Sequence, residues 1–220
     1  MHMSQAIIFD VEATDKNDAV IIEAASLDVL SINPLEVGNP WVQRYNPGKP
    51  ISLGALATHH IMDEELVHCP ASSSFKLPSG IKYLIGHSID FDWEAIGSPE
   101  VKRICTLALA RSLWPELDSH TQSALLYFFE RATAREQLRD AHSALADVGI
   151  CSKILGHILD KLKPSSLDAL WEMSEKARIP TIMPFGKHKG EPISQVPKDY
   201  KQWMLRQDNV NAFLRKALEA

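Results

Sequence analysis

The stretch Ala6-Ile7-Ile8-Phe9-Asp10-Val11-Glu12 decides the fold reading of this chain. Ala6 to Phe9 is short, apolar and rich in β-formers, as a strand buried on both faces is. It runs into two acids spaced by one residue. Side chains alternate along a strand, so Asp10 and Glu12 face the same way. Two carboxylates on one face repel each other unless something positive lies between them. At a solvated strand end the pair would need no explanation; after a buried Ile-Ile-Phe run it points to a metal site.

Working outward, Asp15 to Asp18 (DKND) is a polar turn short enough to close a hairpin onto a second strand, Val20 to Leu30. Trp41 to Tyr45, Ile81 to Gly86 and Val101 to Cys105 supply three more strands. Helical spacing predicts Thr106–Leu113, stopped by Pro115, then Thr121–Ala132 and the long His142–Leu162. Pro164-Ser165-Ser166 breaks the chain, and Ser166 caps a helix over Leu167–Ala177. From Pro180 the composition shifts to Pro, Gly and Lys, read as strands and turns, before closing helices at Lys198–Leu205 and Asn211–Leu218. Strands interleaved with helices give an α/β class with a mixed five-stranded sheet, divided into a domain over 1–163 and a small α+β module over 164–220. Trp41, Trp114, Trp171 and Trp203 are expected in the core.

Two further clusters carry chemistry. Gly86-His87-Ser88-Ile89-Asp90-Phe91-Asp92 follows an apolar strand, so Asp92 lies near a strand end. Alone, Asp90 or Asp92 reads as the cap of a short helix over Trp93–Ile96. Asp140-Ala141-His142 with Asp147 opens the longest helix. A lone His five residues before an Asp is equally compatible with a surface helix start.

Of the 220 residues, 45% are hydrophobic and 23% charged, which excludes a disordered chain. No apolar run approaches the roughly 20 residues of a membrane span. Met1 to Ala6 lacks a basic flank and a long apolar stretch, so no secretory signal is expected. Cys69, Cys105 and Cys151 are odd in number without C-x-x-C spacing, as expected of reduced thiols in a cytoplasmic protein. The net charge of −5 is uneven. Residues 1–160 hold 12 Lys+Arg against 21 Asp+Glu, whereas 161–220 hold 11 against 7. An acidic body with a basic tail suits carboxylates gathered around metal ions and a tail that touches phosphate.

Taken together, the acids at 10, 12, 92 and 147 with His142 resemble the DEDDh exonucleases, a family that includes RNase T. Pro50-Ile51-Ser52 through His59-His60-Ile61 resembles the family's segment beside the terminal nucleotide, and Cys105-Thr106-Leu107-Ala108-Leu109-Ala110-Arg111 its D-T-x-x-L-A-R helix. Phe185-Gly186-Lys187-His188-Lys189-Gly190 with Val196-Pro197, Tyr200 and Trp203 is similar to a C-terminal module found in one bacterial branch. Two motif positions depart: Asp15 replaces a glycine and Ser88 an asparagine.

The resemblance implies an RNase H-like sheet and two Mg²⁺ ions, with Mn²⁺ as a substitute. Asp10, Glu12, Asp92 and Asp147 would be the metal ligands, with Asp10 bridging, and His142 the general base. Substrate contacts would come from Ala13, Thr14, His59, Ser88, Lys187 and Lys189. The implied activity is 3′→5′ hydrolysis of phosphodiester bonds to nucleoside 5′-monophosphates, in DNA repair. The implied partners are single-stranded or duplex DNA 3′ ends, no membrane, and a homodimer as an open option. RNA 3′-end trimming and nucleic-acid binding without catalysis remain the alternatives.

Overall fold

The computed structural model describes residues 4–140, 143–208 and 210–220. A five-stranded sheet forms the centre, in the order β3-β2-β1-β4-β5. β1 (Ala6–Ala13), β2 (Ile21–Ile32) and β3 (Leu35–Arg44) are joined antiparallel, while β4 (Tyr83–Gly86) and β5 (Lys102–Cys105) run parallel to β1. The sheet is therefore mixed, with β1 central. Trp41–Tyr45, read as a separate strand, falls at the end of the longer β3, which pairs with β2 as a long hairpin closed by Asn33 and Pro34.

Alternation along β1 sends its residues into two cores. Ala6 and Ile8 join Ala25, Val29, Ile85 and Ile104 on one face. Ile7, Phe9 and Val11 join Ala24, Leu84 and Ile89 on the other. Ile8 and Phe9 are 0% and 1% exposed; burial of such side chains contributes about 1.5–3 kcal/mol each. Asp10 and Glu12 continue the Ala6–Ile8 row, so a strand fixed by its apolar half delivers two acids to the same face.

Four helices cover that face. α4 (Thr106–Leu113) follows β5 directly, and α5 (Gln122–Gln137) continues beyond the expected Ala132 through a non-helical Glu130. α6 (Ala144–Leu162) packs across β1, β2 and β3, burying Val148, Cys151, Ile154, Leu155 and Ile158. α7 (Leu167–Ala177) begins at Ser166, whose hydroxyl accepts from the Ala169 amide at 3.1 Å. It packs on β5 and α4 and buries Leu170 in the first core. On the other side, α1 (Leu53–His59) and α2 (Asp63–Leu66) form a small layer around Ile22, Ile51, Ile61 and Leu66. α3 (Asp90–Ala95) follows β4.

Beyond α7 the chain builds a core of its own from Met183, Ile193, Val196, Met204, Val210, Leu214 and Leu218. α8 (Lys198–Met204) and α9 (Ala212–Glu219) frame it. Between Pro180 and Pro192, where strands were expected, the described residues form turns closed by one antiparallel bridge, Ile182 to Pro192. Gly and Pro at this density favour turns over a ladder. The expectation of four core tryptophans also fails in part. Trp41 is 40% and Trp203 51% exposed. Among the described residues, no helix is long and apolar enough to cross a membrane.

Candidate active site

The site forms where the acid end of β1 meets the first turn of α6 and the N-terminal half of α3. Asp10, Glu12 and Asp147 each place a carboxylate oxygen so that all three lie within 4.8 Å of one another. Asp147 sits in the first turn of α6, the end at which a helix favours negative charge. Asp92, 4% exposed, lies inside α3 rather than at its cap, which is Ile89. Its Oδ1 accepts from the Val11 amide at 2.9 Å, the residue between Asp10 and Glu12. This bond crosses 81 residues of sequence and locks α3 against β1.

Electrostatics set this cluster apart from a solvated one. Burial, then Asp92, Asp147, Glu12 and Glu23, holds the Asp10 carboxyl well above its ordinary range. Glu12 is pushed up to about 8 by burial, then by Asp147, Glu23 and Asp92. Asp92 rises to about 7, chiefly through burial, with the Val11 amide opposing the rise. Among the described residues, no Lys or Arg forms an ion pair with Asp10, Glu12 or Asp92. Buried acids without a cation are strained in the charged form, and a divalent ion relieves that strain. Carboxylate oxygens at this spacing suit a hard divalent ion. The Cys151 thiol does not compete as a ligand: burial pushes its pKa up, and it lies 3.6 Å from Thr106 Oγ1.

His142 lies outside the described residues. The other expected site residues divide by location. Ala13 follows Glu12, where the β1–β2 register shifts, and is buried. Thr14 is 1% exposed, and its hydroxyl accepts from the Val20 amide at 3.2 Å, closing the hairpin loop. His59, at the end of α1, is buried; its Nδ1 accepts from the Ile61 amide at 3.0 Å. His59 Nε2 has no well-formed hydrogen bond, although the Ala13 carbonyl lies near enough to oppose the lowering of its pKa by burial. His59 is thus held beside the residue that follows Glu12.

Ser88 is exposed in a left-handed turn, φ 73°, after β4. A glycine or asparagine adopts that conformation more readily than serine. Asp15, in place of the motif glycine, accepts from the Asn17 amide at 3.0 Å and shapes the loop as an Asx turn. Lys187 and Lys189 are exposed on the turn Gly186–Gly190, in the separate core region.

The sequence reading missed Glu23. It is 5% exposed, lies directly across from Glu12 in the β1–β2 register, and adds negative charge to the cluster. An acid inside the apolar run Val20-Ile21-Ile22-Glu23-Ala24-Ala25 was the available signal.

In sequence, exodeoxyribonuclease 10 of Escherichia coli strain K12 is 26% identical over 205 residues, covering 90% of this chain and 90% of its own. That likeness runs through nearly the whole of both chains and is to an exonuclease. Among solved structures, exonuclease X in complex with 5′ overhanging duplex DNA superposes with a TM-score of 0.61 at 24% identity, covering 77% of this chain and 99% of that one. Exonuclease I of E. coli in complex with a dA16 oligonucleotide gives 0.59 at 16% identity, over 82% of this chain and 46% of that one. These likenesses place the mixed sheet and its helices in the fold of DEDDh exonucleases. Separately, residues 175–219 match a family described as putative quorum-sensing-regulated virulence factor. The match falls on the segment that builds the third core.

Proposed function

We propose that this chain is a metal-dependent 3′→5′ exodeoxyribonuclease that removes nucleoside 5′-monophosphates from DNA 3′ ends, acting in DNA repair in the cytoplasm. The observation that carries the reading is the convergence of Asp10, Glu12 and Asp147 within 4.8 Å, with Asp92 bonded to the strand between the first two. A site retired from catalysis would lose little by losing any one of these costly acids.

Asp10, Glu12 and Asp147 would hold one divalent ion, and Asp10 with Asp92 a second. When bound, such ions stabilise charge on the phosphate and the leaving 3′-oxygen. His142 would take the proton of the attacking water, since an imidazole near its ordinary pKa of about 6.5 is a competent base at neutral pH. Glu12 and Asp147, close to one another, would then stabilise the imidazolium. Ala13, Thr14 and His59 would frame the terminal nucleotide, and Ser88 its approach.

The division into a nuclease unit over 1–163 and a C-terminal module over 164–220 belongs to the same proposal, with α7 as the element that fastens the module to β5 and α4. The module would hold DNA away from the scissile bond. Its basic turn is built rather than loose: the Lys187 amide donates to Tyr200 Oη at 3.0 Å, and the Gly190 amide to the Met183 carbonyl at 2.9 Å. Gly186, at φ 82°, packs so closely on the Tyr200 hydroxyl that a Cβ would collide with it. Lys187 therefore lines, from a fixed frame, a groove it shares with the half-exposed Trp203 ring, the mixture of cation and aromatic face that single strands use, and Lys189 is exposed on the same turn.

Matched 3′-labelled DNA and RNA oligonucleotides with Mg²⁺ test the reading. Faster release of nucleotides from DNA is expected. Faster release from RNA would favour RNA 3′-end trimming, and release from neither would leave a nucleic-acid-binding protein.

A further inference from the structure

We infer that Glu23 is a positioning residue for the reaction, fixing the first turn of α6 against the sheet; the inference rests on the exonuclease reading. Glu23 Oε1 accepts from the Ala144 amide at 3.0 Å, across 121 residues of sequence. Ala144 is the first residue of α6 and fully buried. Its N–H is one of the donors that a helix start leaves without an intrahelical partner. Asp147 follows three residues later in the same turn, and His142 precedes Ala144 by two in sequence. Whatever fixes Ala144 sets the starting point of the turn that carries Asp147.

The other carboxylate oxygen is also engaged. Glu23 Oε2 accepts from Arg44 Nε at 2.9 Å, and Arg44 Nη1 donates to Glu65 Oε1 at 2.9 Å. Glu65 Oε2 accepts from the Met62 amide at 2.8 Å, next to Ile61, whose amide is held by His59. One continuous set of hydrogen bonds thus runs from the start of α6 through β2 and β3 to the segment that carries His59. Each donor in it is a backbone amide or an arginine, so every link needs an acceptor, and only a carboxylate supplies two side by side.

Its surroundings argue against a role in stability alone. Glu23 faces Glu12 across the strand pair and raises the proton affinity of both Glu12 and Asp10. An apolar side chain there would continue the Val20–Ala25 run without that repulsion. The added charge is accounted for by the anchoring of α6.

Four proteins separate positioning from structure: wild type, Glu23→Ala, Glu23→Gln and Arg44→Ala. Glu23→Ala removes the acceptor for Ala144 and the Arg44 pair together. Glu23→Gln keeps an oxygen for Ala144 but loses the ion pair, and Arg44→Ala loses only the pair. The expected result is a kcat lower by about 10²-fold for Glu23→Ala, the scale that a misplacement near 1 Å costs, with KM nearly unchanged. Glu23→Gln and Arg44→Ala should keep kcat within a few-fold of wild type. Hydrogen exchange at the Ala144 amide should accelerate in Glu23→Ala alone. Equal kcat losses in Glu23→Ala and Arg44→Ala, or unchanged exchange at Ala144, would overturn the inference. An inactive wild type would overturn the exonuclease reading instead, and exchange at Ala144 would then decide alone whether Glu23 anchors α6.

Discussion

The Val11 amide donates to Asp92 Oδ1, so the strand that carries two of the acids also holds the third. Replacing Asp92 by Asn keeps an oxygen for Val11 and removes the charge. Because burial and Asp147 both disfavour that charge, Asp92→Asn should raise the Tm of the metal-free protein while lowering nuclease activity at saturating Mg²⁺ by orders of magnitude. A lower Tm with normal activity would show that Asp92 serves the fold.

Acids whose folded pKa is raised bind more protons folded than unfolded. Glu12 titrates near 8 and Asp92 near 7 in the folded chain, against about 4 in an unfolded one. Their contribution to stability is whole below about pH 4 and is lost as pH rises through 7 to 8. Without metal, the Tm should therefore fall between pH 5 and pH 8, and added Mg²⁺ or Mn²⁺ should recover most of the loss at pH 8. Thermal scans with and without EDTA check this; a Tm that is flat across the range would mean the cluster is compensated by another group.

His142→Ala should lose far more turnover than DNA affinity. General-base catalysis contributes about 10²–10⁴-fold. Binding measured with Ca²⁺ and turnover with Mg²⁺ separate the two, and equal losses would make His142 a substrate contact.

Neutralising Lys187 and Lys189 together should weaken binding of long DNA and flatten its salt dependence, by a slope of about 1 per lost phosphate contact. Hydrolysis of a thymidine monophosphate ester, too short to reach the turn, should barely change. An unchanged salt slope would make Gly186–Gly190 a plain surface turn.

Much of this architecture is legible in the sequence because local signals and burial agree. Ser166 caps α7 and Thr106–Leu113 is α4, as their capping and apolar spacing predict. The alternation in β1 correctly puts Asp10 and Glu12 on one face. Three things were not legible, each for a nonlocal reason. β3 extends through Leu35–Gly38 because it pairs with β2, not because its own residues are strong β-formers. Trp41 and Trp203 are exposed although tryptophan is bulky and apolar, since burial depends on what packs above a ring. Glu23 went unread within its strand because its partners, Arg44 and Ala144, lie 21 and 121 residues away.

Metal-dependent 3′→5′ hydrolysis is tested most directly by digestion of 3′-labelled and 5′-labelled DNA by wild type and Asp10→Ala, with Mg²⁺ and with EDTA. Wild type with Mg²⁺ should release labelled mononucleotide at once from the 3′-labelled strand and shorten the 5′-labelled strand stepwise. No release is expected with EDTA or from Asp10→Ala, whose metal-free Tm should equal or exceed that of wild type. Activity of Asp10→Ala within a few-fold of wild type, or digestion that persists in EDTA, would contradict metal-dependent hydrolysis at this site.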